Sequence, residues 1–234
     1  MIASTTRSDG AVGARKAVGY DGWPMDEIAA AEPAKPPKKL RRWIRSGLGT
    51  AAILLVPFAA RASFVDHYKV PTGSMIPTVE IGDRVFVNKA AYGLRLPMAS
   101  SYVVETSDPA HGDVVVLRSP EDPAIVLLKR VIAVPGDVVK IRGGHVYLGG
   151  EEAPVSLDGK TELLGGNEHA LRLTLGGGPD YGPVTIPPRK FLVMGDNRGD
   201  SRDGRTFGLV EREAFLGHAK GIVLRKGRPT WQSL

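Results

Sequence analysis

The chain has 234 residues, 42% hydrophobic and 24% charged, which suits one substantial folded domain with appendages. It contains no cysteine, which excludes disulfides, cysteine-based metal sites and a thiol nucleophile. The net charge of +6 would suit a nucleic-acid binder, but Lys38, Lys39, Arg41, Arg42 and Arg45 cluster just before the one long apolar run, where membrane topology explains them better. No recognition-helix or aromatic RNA-binding pattern accompanies them, so no nucleic-acid partner is expected.

Residues 1–45 read as a disordered, basic, cytoplasmic tail. Their first part is Gly, Ala, Ser and Pro without periodicity, and Ala31 to Pro37 carries prolines that no regular helix tolerates. From Ser46 to Ala60 there is no charge. Fifteen residues at helical rise span about 22 Å, short of the roughly 30 Å hydrocarbon core, and extension through Arg61 to Val65 supplies the difference. Arg61 would then carry its charge out to the far headgroups, and Pro57 would kink the span. With the basic cluster on its N-terminal side, a 46–65 anchor leaves the N-terminus inside and residues 66–234 outside the plasma membrane. Two other readings stay open. Ala60-Arg61-Ala62 fits a cleavage site, so the run could be a cleaved signal peptide, although the preceding basic region is long for one. A buried core helix is the third.

After Val65 the pattern turns to short β-branched runs bounded by Gly, Pro or Asp: Arg84–Asn88, Asp113–Arg118, Ile125–Leu128, Val138–Ile141, Phe191–Met194 and Gly221–Arg225. Lys140 to Gly150 predicts a hairpin closed by Gly143-Gly144. Residues from about 151 to 188, rich in Gly and poor in pattern, read as a small inserted subdomain. The fold class expected is mostly β, with one N-terminal transmembrane helix before it.

Pro71-Thr72-Gly73-Ser74-Met75-Ile76-Pro77-Thr78 places a serine in a tightly constrained loop. Such a serine is ordinarily a turn residue, and it becomes a nucleophile only if a base serves it. The histidines, His67, His111, His145, His169 and His218, occur in no triad-like context and at no metal-ligand spacing, and there is no Gly-x-Ser-x-Gly elbow. Lys129, after Ile125-Val126-Leu127-Leu128, is the stronger candidate. Desolvation disfavours an ammonium, and a fall of about 3 units from 10.4 would let the amine act as base near neutrality. An edge-strand lysine with its charge in water reads equally well from this run alone.

Four segments together resemble the bacterial type I signal peptidases, a family of Ser-Lys serine peptidases. They are Pro71–Thr78, Gly112–Leu117, Leu128–Asp137 and Gly195–Arg205, in the family's order after an apolar segment. The resemblance implies a signal-peptidase-like β-fold with Ser74 as nucleophile and Lys129 as general base. It also implies an oxyanion hole from the Ser74 N–H and the Thr72 hydroxyl, where many relatives carry serine. Ser201 would orient the lysine, and Asp203 and Arg205 would form a supporting ion pair. Gly199, Asp200 and Gly204 depart from the pattern of Asp, Asn and Ser common in relatives.

The substrates implied are signal peptides of exported preproteins, cut after small-x-small sequences by a bilayer-anchored enzyme that needs neither metal nor cofactor. The peptide would add as a strand between Val70–Thr72 and Leu127–Lys129, with small side chains in pockets formed by Val70, Pro71, Met75, Val79, Leu127 and Leu128. Three alternatives stand beside it: a peptidase dedicated to one secretion or conjugation system, a self-cleaving repressor of the same chemistry, and a non-catalytic anchored peptide binder. The repressor would need a DNA-binding or cleavable N-terminal segment, and a binder has no use for Ser74, Lys129 and Ser201 together.

Overall fold

The computed structural model of the chain describes residues 64–95 and 102–234. The expected tail, 1–45, and residues 46–63 of the expected anchor lie outside them, and no helix among the described residues is long and apolar enough to cross a membrane.

The β-branched runs become strands whose side chains alternate between two faces. In chain order these are β1 (Val65–Lys69), β2 (Arg84–Asn88), β3 (Gly93–Leu94), β4 (Val104–Glu105), β5 (Val114–Arg118) and β6 (Val126–Ala133). The hairpin β7 (Val138–Arg142) and β8 (His145–Leu148) leads to β9 (Glu151–Glu152), β10 (Thr161–Leu164), β11 (Asn167–Ala170) and β12 (Tyr181–Thr185). Then come β13 (Lys190–Met194), the short helix α1 (Gly204–Phe207), β14 (Val210–Glu211), β15 (Phe215–Arg225) and β16 (Arg228–Ser233).

Eight strands form the main antiparallel sheet in the order β1-β2-β15-β5-β6-β13-β14, with β16 also paired to β15. Its centre, β5, is the Val-Val-Val-Leu run, unbroken because both faces are covered. Val114 and Val116 pack with Val70, Met75, Val79, Val85 and Val87, whereas Val115 and Leu117 pack with Phe191, Val193, Val210 and Phe215. Each large apolar side chain so buried contributes about 1.5–3 kcal/mol. Phe191 and Phe215 meet edge to face at 5.1 Å, the geometry their ring charge distribution favours. A second sheet, β12-β7-β8-β9, shares a core with the first through Val139, Ile141, Val146, Ile132, Leu192 and Met194.

The chain is mostly β, as its patterning predicts, and Arg142 faces His145 across the Gly143-Gly144 turn of the expected hairpin. Three features differ from the sequence reading. The run expected to end at Leu128 continues to Ala133, so Lys129 lies inside β6 opposite Val115. The last expected strand begins at Phe215 and reaches β2, β5 and β16 along its 11 residues. The insert is not a separate unit of 151–188. Its β12 pairs with β7, so the second sheet combines residues on both sides of that boundary, and within the insert β10-β11 forms a two-stranded sheet of its own.

Candidate active site

The Pro71–Thr78 loop that carries Ser74 is pinned at both ends. The Val70 N–H donates to the Asp83 carbonyl at 2.9 Å, and the Val79 N–H to the Met75 carbonyl at 2.9 Å. Met75 and Val79 are buried in the core and hold the loop down, while Ser74, just before Met75, is half-buried. From β6, Lys129 reaches this loop: its Nζ stands 2.8 Å from Ser74 Oγ and 3.2 Å from Ser201 Oγ. The lysine is 3% exposed. Burial pushes its pKa down from 10.5 to about 8; Asp203 and Asp196 nearby work against that fall, and Arg205 adds to it. A neutral amine in contact with a hydroxyl can take its proton.

The segment after β13 holds the two serines in place from behind. A Cβ at Gly195 would lie 2.3 Å from the Ser74 carbonyl oxygen and 2.3 Å from Ser201 Oγ, so only glycine lets these three meet. The Gly195 N–H donates to Asp203 Oδ2 at 3.1 Å. Asp203 in turn receives both arms of Arg205, at 2.9 and 2.8 Å, with both side chains fully buried. The remaining Arg205 donors go to the carbonyls of Gly177 and Arg198, each at 2.6 Å. Asn197 holds the Ser74 loop directly: its N–H donates to the Ser74 carbonyl and its Nδ2 to the Gly73 carbonyl, each at 3.1 Å.

Below the loop, Arg130 grips Asp196 through two bonds of 2.9 and 2.8 Å, and Thr78 Oγ1 donates to the same carboxylate at 2.5 Å. Burial works to raise the Asp196 pKa, but Arg130 offsets it and holds the carboxyl below its ordinary value. Sequence reading did not single out Asn197, Asp196, Arg130 or Thr78 as site residues. All four stand inside the quoted motif segments, which was the available signal.

A cleft of about 230 Å³ opens beside Ser74, lined among others by Tyr68, Val70, Pro71, Thr72, Met75, Leu127 and Leu128. Five of the six residues expected to form pockets line it. Val79 does not: it is wholly enclosed in the core with Val85 and Val87 and acts as an anchor of the loop instead. Thr72 is exposed at the cleft, and neither its hydroxyl nor the Ser74 N–H is hydrogen-bonded to another described residue. Two departures from the family pattern have local causes. A Cβ at Gly199 would sit 1.6 Å from the Thr174 carbonyl oxygen, and one at Gly204 would sit 2.7 Å from Leu192 Cδ1. Nothing in the structure explains Asp200.

No histidine lines the cleft. His111 pairs with Asp137 at 2.7 Å, His145 with Glu152 at 3.2 Å, and His67 contacts Arg84 at 3.3 Å. His169 is buried 3.1 Å from Glu162, and His218 stacks on Tyr92 near Asp113. Among the described residues no group of three His, Asp or Glu converges as metal ligands would.

A family profile described as signal peptidase, peptidase S26, matches residues 40–224. A signal peptidase I of Pseudomonas fluorescens is 36% identical over 202 residues, which cover 76% of this chain and 71% of that one. A signal peptidase I of Pseudomonas aeruginosa is 39% identical over 168 residues, covering 65% of this chain and 59% of its own length. Signal peptidase I T of Bacillus subtilis is 29% identical over 186 residues, covering 79% and 87%. With a matching profile across most of its length and relatives of this identity, the chain belongs to the signal peptidase, peptidase S26, family of serine endopeptidases.

Proposed function

We propose that this chain removes signal peptides from exported preproteins with a Ser74–Lys129 dyad, cutting after small-x-small sequences. The observation that carries the proposal is the 2.8 Å contact between Ser74 Oγ and the amine of a lysine only 3% exposed. With a pKa of about 8, roughly one lysine in ten is neutral at pH 7 and able to accept a proton. Ser74 Oγ attacks the scissile carbonyl as its proton passes to Lys129 Nζ. The amine then returns that proton to the departing peptide nitrogen, and water releases the acyl group from Ser74.

Ser201 holds the lysine in line with the nucleophile. Two uncommitted donors, the Ser74 N–H and the Thr72 hydroxyl, face the charge that develops on the carbonyl oxygen. The substrate lies extended between Val70–Thr72 and Leu127–Lys129 and adds to the sheet as a strand. The cleft is mostly apolar, and its contour, rather than specific polar contacts, would select small side chains over bulky ones. A segment ahead of β1, within the 46–65 expected from sequence but ending before Val65, anchors the chain in the plasma membrane, residues 1–45 stay in the cytoplasm, and the β-domain that begins at Val65 works on the outer face.

The test is to incubate the purified full-length chain in detergent with a secretory precursor and to locate the cut by mass spectrometry. Wild type should release the mature protein after a small-x-small site, and Ser74→Ala should not. Binding of the precursor without any cut by wild type would favour a non-catalytic peptide binder.

A further inference from the structure

The β10-β11 hairpin holds the charged groups of a buried cluster that the dyad does not use. Glu162 and His169 both lie on it, and neither belongs to the segments that carry the family resemblance. Glu162 is wholly buried and receives both arms of the Arg198 guanidinium, itself wholly buried, while His169 Nε2 stands 3.1 Å from the same carboxylate. Burial works to raise the Glu162 pKa, but Arg198 and His169 hold it down to about 2, so the group is a carboxylate at any working pH.

Arg198 leads from this carboxylate to the dyad. Its Nε donates to the Gly195 carbonyl at 3.2 Å, its Nη1 also reaches the Gly144 carbonyl of the β7-β8 turn, and its own carbonyl accepts from Arg205 at 2.6 Å. Arg205 binds Asp203, and Asp203 takes the Gly195 N–H at 3.1 Å. The N–H and the carbonyl of Gly195 are therefore held through two arginines linked to each other, and Glu162 is the counter-charge of the one that leads into the insert. Gly195 is also where the backbone packs against both the Ser74 carbonyl and Ser201 Oγ. The same insert meets the loop at its backbone: the Arg172 N–H donates to the Asp196 carbonyl and the Arg198 N–H to the Arg172 carbonyl, each at 2.9 Å.

We propose that Glu162 is a positioning residue for catalysis: by fixing Arg198 it sets the height of Gly195, and with it the placement of Ser74 and Ser201 against Lys129. The inserted hairpin is thus a brace for the dyad. The inference rests on the reading of Ser74 and Lys129 as that dyad.

The test uses the full-length chain in detergent with a peptide carrying an Ala-x-Ala site. Single-turnover rate constants are measured at saturating enzyme, where they do not depend on the fraction of enzyme that is folded. E162Q should lower the rate constant by about 10-fold or more, since displacements of an ångström at reacting groups commonly cost up to 10²-fold, and should leave half-saturation within about 2-fold. If E162Q fails to fold because Arg198 is left as an unpaired buried charge, the double variant E162Q/R198Q removes that charge and is measured in the same way. A rate constant within about 2-fold of wild type in the variant that folds would overturn the proposal. So would a loss confined to half-saturation. S74A is the reference for the dyad itself: if S74A turns the peptide over, the dyad reading fails, whereas an inactive S74A beside a fully active E162Q removes only the role given to Glu162.

Discussion

Replacing Lys129 by methionine should abolish cleavage and yet stabilise the fold. The lysine is almost entirely buried, and its pKa falls from 10.5 to about 8. The difference, 10.5 − 8, is 2.5 units, which at about 1.36 kcal/mol per unit is about 3 kcal/mol of penalty for housing the ammonium. The unfolded chain keeps this proton up to pH 10.5 and the folded chain only up to about 8, so between those values the unfolded state binds more protons and stability rises with pH. Below about 8 both states are protonated and the whole penalty is present. Methionine fills a similar volume without charge. It also gives up the contacts with Ser74 and Ser201, each worth about 1 kcal/mol, although these half-exposed hydroxyls can turn to water instead. A net gain of about 1–3 kcal/mol at pH 7 is expected. Urea unfolding of wild type and Lys129→Met at pH 7, 9 and 10.5 would measure it. The variant should be the more stable at pH 7, with the difference shrinking as pH rises. A variant less stable at pH 7, or a gap that does not change with pH, would refute the idea that burial of this lysine depresses its pKa.

Thr72→Val, nearly isosteric, should lower turnover by about 10²–10³-fold with little change in half-saturation, whereas Thr72→Ser should be mild; equal turnover in the valine variant would remove the hydroxyl from the oxyanion hole. Gly195→Ala places a methyl 2.3 Å from both the Ser74 carbonyl and Ser201 Oγ, so steady-state assays should find turnover reduced by about 10²-fold or more in protein that still folds. Protease added outside intact spheroplasts should digest the Ser74 domain and spare the tail; a mature N-terminus at Ser63 would instead mean that residues 1–62 are removed as a cleaved signal.

The strands were legible where burial on one or both faces enforced β-branched residues, as in Arg84–Asn88 and Val114–Arg118. They were not legible where that constraint was missing. β16, Arg-Pro-Thr-Trp-Gln-Ser, is exposed throughout and exists because β15 offers it a ladder. β1 was hidden by its overlap with the end of the apolar segment. The continuation of β6 through Lys129-Arg130 breaks any hydrophobic pattern, since its two charges are buried by partners distant in sequence: Ser74 and Ser201 for one, Asp196 for the other. The same holds around the candidate dyad. Local motifs drew attention to Ser74, Lys129 and Ser201, and the structure brings the three together. Glu162 lies in a segment without motif or period, and only the packing of the insert against Arg198 reveals what it touches. The resemblance puts Val79 among the pocket residues, but a motif does not distinguish a side chain facing the cleft from one facing the core.

The account turns on a neutral Lys129 taking the proton of Ser74, and the most direct measurement is the single-turnover cleavage rate of a precursor peptide from pH 6 to 10, in wild type and in Lys129→Arg. The wild-type rate should rise through an apparent pKa near 8 and level off above it. Arginine keeps the charge but cannot lose its proton in this range, so its rate should be negligible throughout. A wild-type rate that is flat across this range, or an arginine variant that cleaves, would contradict the account.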